Sequence, residues 1–338
     1  MTKSEWMPSV DDPMAQWVSD FPGHLRDVLT LPMQGNQPTH KFSKIVVCAM
    51  GGSAIGADLL VDGLAGRIAY PLVVNRDPHL PVWVDRDTLV IIVSYSGNTA
   101  ETLTAGQIAV ARNAQIAVLT SGGKLAEWAT EQNYLQLNIP GGMAPRAALG
   151  YLFGGLWRLL HTIGVVPSPE TELRDAADKI CASEQLFNDP VKSPSLKLAK
   201  EIDTNIPWIW ASRRLAGVIR RWANQFSENA KAPAHFGILP EALHNEIEGL
   251  CDDPHRPRAL KMIVFRDPND DETIDHAIAL LRESGYPPVT ITRGDESIAS
   301  MLYLIALGDR TSLAVANLNR IDPTPIAAIT RLKSRNTK

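Results

Sequence analysis

Two groups of glycine and hydroxyl residues follow short apolar runs and are suited to holding a phosphate group. Ile45–Ala49 precedes Gly51-Gly52-Ser53, and Leu89–Val93 precedes Ser94-Tyr95-Ser96-Gly97-Asn98-Thr99. Apolar, β-branched runs of this length are typical of buried parallel strands. Glycines permit close approach of the backbone, and hydroxyls beside the N–H groups of a helix start can donate to an anion. The pattern predicts a crevice for a phosphorylated small molecule at the carboxyl ends of two strands.

Each loop also has a plainer interpretation. Gly-Gly-Ser is a common turn, and Asn98 or Thr99 with Glu101 would make an ordinary helix cap. Because both loops follow strands of one predicted sheet, the ligand crevice is favoured over two unrelated turns. The candidate phosphate-binding residues are Gly52, Ser53, Ser94, Ser96 and Thr99.

An acidic residue in the second half of the chain is a candidate for proton transfer. Glu228 lies near the end of an otherwise apolar and basic helical pattern. A carboxylate that is partly withdrawn from water can act as a general base. The alternative is a surface carboxylate that pairs with Lys231 at helical spacing.

A histidine flanked by acids is the second candidate. His244 lies between Glu241 and Glu246, and imidazole is the side chain that exchanges protons most readily near neutral pH, as the ring opening of a sugar requires. A helix-surface histidine is the alternative. Metal binding by His244 with Glu246 or Glu248 is not favoured, because no second histidine lies at the spacing of a zinc site.

Two basic residues complete the set of candidates. Arg146 lies in a glycine-containing loop directly before a strongly apolar segment, where its planar donor fork can bind phosphate or a developing oxyanion. A structural salt bridge is the alternative. Lys333 lies in a C-terminal helical pattern, where lysines commonly interact with the helix dipole, and its own surroundings indicate no further role.

Composition and charge restrict the class of protein. The chain has 338 residues, 45% of them hydrophobic, which predicts two globular domains with ordinary cores. The net charge of −4 and the dispersed basic residues favour neither nucleic-acid nor membrane binding. Cys48, Cys181 and Cys251 are widely spaced, which predicts reduced thiols. With no apolar signal core and no apolar stretch approaching the length of a membrane helix, we expect a cytoplasmic protein.

Alternating strand and helix patterns place the loops in two α/β halves. We expect an N-terminal helical segment at 1–40, a first domain with the phosphate loops at 41–165, a helical connection at 166–195 and a second domain with C-terminal helices at 196–338. The second half lacks both loops, which indicates that it closes the site and does not repeat the cradle.

The elements expected in the first half are an amphipathic helix around Trp17 to Leu29, strands at Ile45–Ala49, Tyr70–Val74, Leu89–Val93, Gln115–Leu119 and Tyr134–Ile139, and helices at Ala57–Leu64, Glu101–Arg112, Lys124–Thr130 and Leu149–Ile163. Those expected in the second half are strands at Ile206–Ala211, Leu260–Phe265 and Val289–Thr292, and helices at Leu215–Ala230, Ile274–Ser284, Ser297–Leu318 and Pro325–Ser334.

Taken together, these residues resemble the bifunctional phosphoglucose/phosphomannose isomerases of archaea and bacteria, which are built from two sugar isomerase (SIS) domains. The two loops are shared by SIS domains generally, and the later motifs narrow the family. The resemblance implies an α/β fold of two SIS domains, each a doubly wound parallel sheet flanked by helices. The later motifs are Pro145-Arg146-Ala147, Ser227-Glu228-Asn229-Ala230-Lys231, Leu243-His244-Asn245-Glu246-Ile247-Glu248-Gly249, Asp322-Pro323-Thr324-Pro325 and Leu332-Lys333.

The resemblance also implies a function. It implies a cofactor-independent aldose–ketose isomerase that interconverts glucose 6-phosphate and mannose 6-phosphate with fructose 6-phosphate through a cis-enediol. The loop hydroxyls would hold the sugar phosphate, and Arg146 would stabilise the enediolate. Glu228 would move the proton between C2 and C1, while His244 and Lys333 would assist ring opening. The protein would be a homodimer without metal, and the neighbouring chain would supply His244.

Two other functions stay open. A phosphosugar-binding SIS sensor needs the phosphate loops but neither Glu228 nor His244, and neither end of the chain shows a DNA-binding helix-turn-helix. An isomerase of another phosphosugar, such as an amino sugar or a heptose, shares the same chemistry and is harder to distinguish.

Overall fold

The chain forms two compact units, each with its own sheet. The computed structural model describes residues 12–252 and 259–336. Unit A comprises Asp20–Cys181 and Ser297–Leu302, and unit B comprises the other described residues. The domain boundaries expected from the sequence stay a prediction.

Unit A contains a six-stranded sheet. Its strands are β1 (Met33–Gln34), β2 (Lys44–Ala49), β3 (Leu72–Asn75), β4 (Thr88–Ser94), β5 (Gln115–Thr120) and β6 (Leu135–Asn138). Their order is β1-β6-β5-β4-β2-β3, with all neighbours parallel except β1 and β6. β4 and β5 are buried along their whole length, because parallel strands are covered by helices on both faces.

The helices of the first half differ from the expected pattern in two places. They are α1 (Pro13–Ser19, in unit B), α2 (Phe21–Asp27), α3 (Gly51–Gly63), α4 (Ala100–Ala111), α5 (Gly123–Glu131), α6 (Leu149–Thr162) and α7 (Glu170–Ala182). The single N-terminal amphipathic helix is instead two short ones, because Pro22 begins a new helix after Asp20. α3 starts at Gly51 and not at Ala57, although its first turn is poor in helix formers.

Unit B contains a four-stranded parallel sheet. Its strands are β7 (Ile206–Ser212), β8 (His235–Leu239), β9 (Leu260–Arg266) and β10 (Val289–Thr292), in the order β10-β9-β7-β8. β8 was not expected from the sequence. The short segment contains a glycine and a histidine, and it becomes a strand by pairing with β7 in the register from Trp208 with His235 to Ser212 with Leu239.

The remaining helices are α8 (Glu184–Phe187), α9 (Pro194–Ile202), α10 (Ala216–Asn229), α11 (Glu246–Cys251), α12 (Glu272–Glu283), α13 (Ile298–Leu318) and α14 (Ala327–Asn336). We expected no apolar stretch approaching the length of a membrane helix, and this expectation was wrong. The 21 residues of α13 are long and apolar enough to cross a membrane. However, 83% of its most apolar window is buried, as in the core helix of a soluble protein. The α/β fold of two helix-flanked sheets is confirmed.

A buried polar network joins α10 to the part of α13 that lies in unit B. Arg221 donates to both carboxylate oxygens of Asp309, from Nε at 2.9 Å and from Nη2 at 2.6 Å. Gln225 donates to the same carboxylate at 2.9 Å, and one turn further on Asn229 donates to Ser312 Oγ at 3.0 Å. All five side chains are almost fully buried. The network therefore fixes the carboxyl end of α10 against α13.

We predict that Arg221→Leu destabilises the protein by about 3–5 kcal/mol, because Asp309 is then buried without its cation. The matched control is Arg214→Leu, which removes an exposed arginine paired with Glu296 and should cost about 0–1 kcal/mol. Urea unfolding measures both free energies. Equal losses in the two variants would contradict the role assigned to the network.

Candidate active site

The first phosphate loop is tied to the second by a hydrogen bond. α3 begins directly after β2, and Ser53 lies in its first turn, where its side chain is buried. Ser53 Oγ accepts a hydrogen bond from the backbone N–H of Tyr95 at 3.1 Å. Because the hydroxyl acts there as an acceptor, its own proton can be donated to a ligand. The structure thus brings the two loops together as expected for adjacent parallel strands.

The second loop keeps its hydroxyls away from ordinary helix capping. Thr99 occupies the N-cap of α4 but makes no capping hydrogen bond with its side chain. Its Oγ1 instead lies 2.9 Å from Ser94 Oγ. Ser96 is exposed, and its Oγ accepts from the Asn98 N–H at 3.3 Å. Thr99 therefore occupies the cap position while its hydroxyl contacts Ser94 and not the helix backbone.

Gly97 allows this loop to close. It adopts φ +66°, and a Cβ built on it would lie 1.7 Å from the carbonyl oxygen of Gly122. Any side chain at this position would collide with the turn between β5 and α5. The backbone of the second loop consequently packs directly on that turn.

Arg146 lies beside the first loop. It occupies a 3₁₀ turn, Pro145–Ala147, and only 3% of it is exposed. A Cβ built on Gly52 would lie 3.0 Å from the Arg146 backbone nitrogen, so the missing side chain at Gly52 is what admits this turn. A buried guanidinium is costly unless it is paired or hydrogen-bonded, so both interpretations of Arg146 require a polar partner.

Tyr95 is a residue that sequence reasoning did not select. Its carbonyl accepts from the N–H and hydroxyl of Ser121, and its own hydroxyl donates to the Pro140 carbonyl at 3.1 Å. The Met143 N–H donates to the same phenol oxygen at 3.0 Å. Burial raises the pKa of this phenol, so it stays protonated and remains a donor. Tyr95 thus holds both loops and the segment that leads to Arg146, through contacts distant in sequence.

In unit B, Glu228 lies in the last turn of α10 and is half-buried. Lys231 was the alternative partner for its carboxylate. The Lys231 ammonium donates to the backbone carbonyl of Glu228 at 2.5 Å and to that of Pro323 at 3.1 Å. Lys231 therefore caps the carboxyl end of α10, and Glu228 directly precedes Asn229, a member of the network that joins α10 to α13.

His244 and Lys333 are both on the surface of unit B. His244 ends the 3₁₀ turn Glu241–His244 and is exposed. Lys333 lies on α14, whose side chains are exposed from 327 to 335. Within residues 12–252 and 259–336, no three His, Cys, Asp or Glu side chains are grouped as metal ligands.

The carboxyl edge of the unit B sheet carries ion pairs where unit A carries hydroxyl loops. Arg266 at the end of β9 pairs with Asp275. After β10, Arg293 Nη1 donates to Asp267 Oδ2 at 2.9 Å, with both side chains buried. These charges neutralise one another, and whether the second half lacks a phosphate site stays a prediction.

Comparison with known proteins places both sheets in one class. The SIS domain family matches residues 79–140, and the family described as Bacterial phospho-glucose isomerase C-terminal SIS domain matches residues 191–335. A hypothetical protein from Thermus thermophilus has a similar fold, with a TM-score of 0.74 at 15% identity over 97% of this chain and 91% of that one. The fold and the paired loops thus define a protein with two SIS domains.

Curated relatives define the family within that class. Bifunctional phosphoglucose/phosphomannose isomerases from Caldicellulosiruptor bescii and Aquifex aeolicus are each 34% identical, over 89% and 88% of this chain and 91% of either relative. The chain belongs to the bifunctional phosphoglucose/phosphomannose isomerase family, which confirms the resemblance predicted from its motifs. One relative, from Sulfolobus acidocaldarius, is named D-glucosamine-6-phosphate 4-epimerase and is 30% identical over 86% of this chain and 89% of its own length.

We predict that Gly97→Ala opens the second phosphate loop. The added Cβ collides with the Gly122 carbonyl, whereas Gly66→Ala is a matched control with φ +79° and no atom within 4 Å of the new Cβ. Gly66→Ala should cost only the strain of the left-handed backbone, about 1–2 kcal/mol. Hydrogen exchange should rise in 94–99 and 120–125 for Gly97→Ala alone. The same exchange in both variants would show that the close contact does not hold the loop.

Proposed function

We propose that this chain interconverts glucose 6-phosphate and mannose 6-phosphate with fructose 6-phosphate, without a cofactor and through a cis-enediol intermediate. The proposal rests on one observation above all: in a member of this family, the Ser53 hydroxyl is bound to the Tyr95 N–H of the second loop, in which the hydroxyls of Ser94 and Thr99 lie 2.9 Å apart. Neutral donors at the amino ends of α3 and α4 suit a phosphate group.

The phosphate is the part of the substrate that unit A would hold. Ser53, Ser94, Ser96 and Thr99 would donate hydroxyl hydrogen bonds to its oxygens, and Gly52 would allow the phosphate to approach the backbone. The phosphate does not react during isomerisation. Its binding energy would serve to orient the sugar, because donors fixed on the phosphate hold the reacting carbons in one position.

Proton transfer is the chemical step. Glu228 would remove the proton from C2 of the open-chain aldose and return it to C1, and the hydroxyl proton on O2 would pass to O1 as the C2 carbonyl forms, leaving the ketose. The intermediate carries negative charge on the oxygen at C1 or C2, and the buried guanidinium of Arg146 would stabilise that charge. His244 and Lys333 would exchange a proton with the ring oxygen and hold the sugar hydroxyls during ring opening.

Dual specificity follows from the intermediate. Glucose 6-phosphate and mannose 6-phosphate differ only in configuration at C2, and both give the same enediol as fructose 6-phosphate. Returning the proton to either face of C2 would give either aldose. Rotation about C2–C3 would present both faces to Glu228.

We also propose a homodimer in which His244 of the partner subunit completes each active site. His244 is exposed in the single chain, and α14 carries Ile329 and Leu332, which are 38% and 61% exposed. A ten-residue helix is marginal without an apolar partner, and a second copy would supply one.

The free thiols of Cys48, Cys181 and Cys251 support a cytoplasmic location.

Because one relative is named D-glucosamine-6-phosphate 4-epimerase, a different phosphosugar is an alternative preferred substrate. An amino sugar phosphate would use the same phosphate loops. Comparing turnover of fructose 6-phosphate with that of glucosamine 6-phosphate separates the two possibilities. A phosphosugar sensor would bind but turn over neither.

We predict that Glu228→Gln lowers kcat about 10²- to 10⁴-fold, because it removes the general base. The dissociation constant for fructose 6-phosphate should stay close to that of the wild type, since the phosphate ligands are unchanged. The assay follows glucose 6-phosphate and mannose 6-phosphate formed from fructose 6-phosphate. Glu283→Gln, an exposed glutamate on α12, is the control. Substantial residual isomerisation by Glu228→Gln would exclude Glu228 as the base.

We predict that mixing inactive chains restores activity. When His244→Ala and Glu228→Gln chains form dimers at random, half of the dimers are mixed, and each mixed dimer has one site with both groups intact. We therefore expect about one quarter of wild-type activity. Native mass spectrometry verifies that mixed dimers form. Proven exchange without recovery would contradict the shared site.

A further inference from the structure

One carboxylate oxygen in unit B receives three N–H donors. Glu246 Oε2 lies 3.0 Å from Trp208 Nε1, 2.8 Å from Trp210 Nε1 and 2.9 Å from His235 Nε2. The two tryptophans are two residues apart on β7, so their side chains lie on the same face of the sheet. His235 pairs with Trp208 in the adjacent β8, with ring centroids 4.0 Å apart. The three donors thus converge from two strands on one residue.

Gly237 provides the space for this carboxylate. It is the register partner of Trp210. A Cβ on it would lie 2.7 Å from Glu246 Oε1 and 2.7 Å from Trp210 Nε1. Any other residue at this position would displace the carboxylate from the sheet. The glycine and the three donors together form a binding site for the Glu246 carboxylate.

Glu246, which occupies this binding site, lies two residues from His244 along the chain. Glu246 is the first residue of α11, and Asn245 accepts its N–H at 2.7 Å through the side-chain oxygen. On the other side of His244, Ala242 is buried. The exposed imidazole therefore projects from a short stretch of backbone that is held at both ends.

We propose that Glu246 is a positioning residue that fixes the backbone from which His244 projects. The carboxylate binds the two indoles and the His235 imidazole, and these contacts hold α11 and the preceding turn on the sheet face. This inference rests on the proposed function, in which His244 assists ring opening. It assigns to Glu246 a role apart from metal binding or direct contact with the sugar.

Hydrogen exchange tests the positioning without reference to activity. In the full-length protein, Glu246→Gln and Gly237→Ala should each raise amide exchange in 240–251 by at least about tenfold. Glu248→Gln is the matched control, because Glu248 is exposed on the same helix. Unchanged exchange in both test variants would overturn the proposal. Gly237→Ala keeps the carboxylate of Glu246 but fills the space beside it. Faster amide exchange in this variant would therefore show that the bound position of the carboxylate holds the 240–251 segment.

A double-mutant cycle tests whether the effect passes through His244. Glu246→Gln should lower kcat for fructose 6-phosphate about 10- to 100-fold, with KM little changed, because the imidazole is misplaced. In a His244→Ala background the same change should cause no further loss. Full additivity would overturn the proposal, since Glu246 would then act independently of His244. If the wild type does not isomerise fructose 6-phosphate, the proposed function fails while the exchange measurement still decides the role of Glu246.

Discussion

The hydrogen bond from the Tyr95 backbone to the Ser53 hydroxyl exists because β2 and β4 are neighbouring parallel strands. After β2 the chain places β3 on one side and β4 on the other, so the connections leaving β2 and β4 diverge and a crevice opens at their carboxyl ends. Two helices begin there, and the N–H groups of their first turns have no partners within the helices. The turn that carries Arg146 packs against the start of the first of these helices because Gly52 has no side chain.

In unit B, two polar networks, one buried and one partly buried, lie close in sequence to residues on the surface. Asp309 is bound by Arg221 and Gln225, and Glu246 is bound by two indoles and an imidazole. Such networks add little stability over an apolar core, but they are costly to break and are satisfied in only one arrangement. The two groups that the proposed chemistry requires at defined positions, Glu228 and His244, each lie within a few residues of one of these networks.

Much of the fold was predictable, since apolar runs and helical periodicity depend on local sequence. β2, β4 and β5 were found within a residue or two of their observed ends. β8 was missed because a five-residue segment containing His235 and Gly237 has little strand character by itself. α3 was predicted to begin six residues late, because helix propensity disfavours its glycine-rich first turn. In both cases contacts with distant residues outweigh the local preference: pairing with β7 for β8, and the turn of Arg146 against Gly52 for α3.

The sequence by itself determined the class of fold, the two loops of glycine and hydroxyl residues and the family, because each depends on residue types at short spacing. Only the tertiary structure decided how those residues are held. Tyr95, Asp309 and Glu246 bind partners that lie between 11 and 88 residues away in the chain. No local pattern encodes such pairs, since they depend on which strands and helices become neighbours. The glycines at 52 and 237 are the clearest examples, because each is explained by the backbone or carboxylate that packs where its side chain would be.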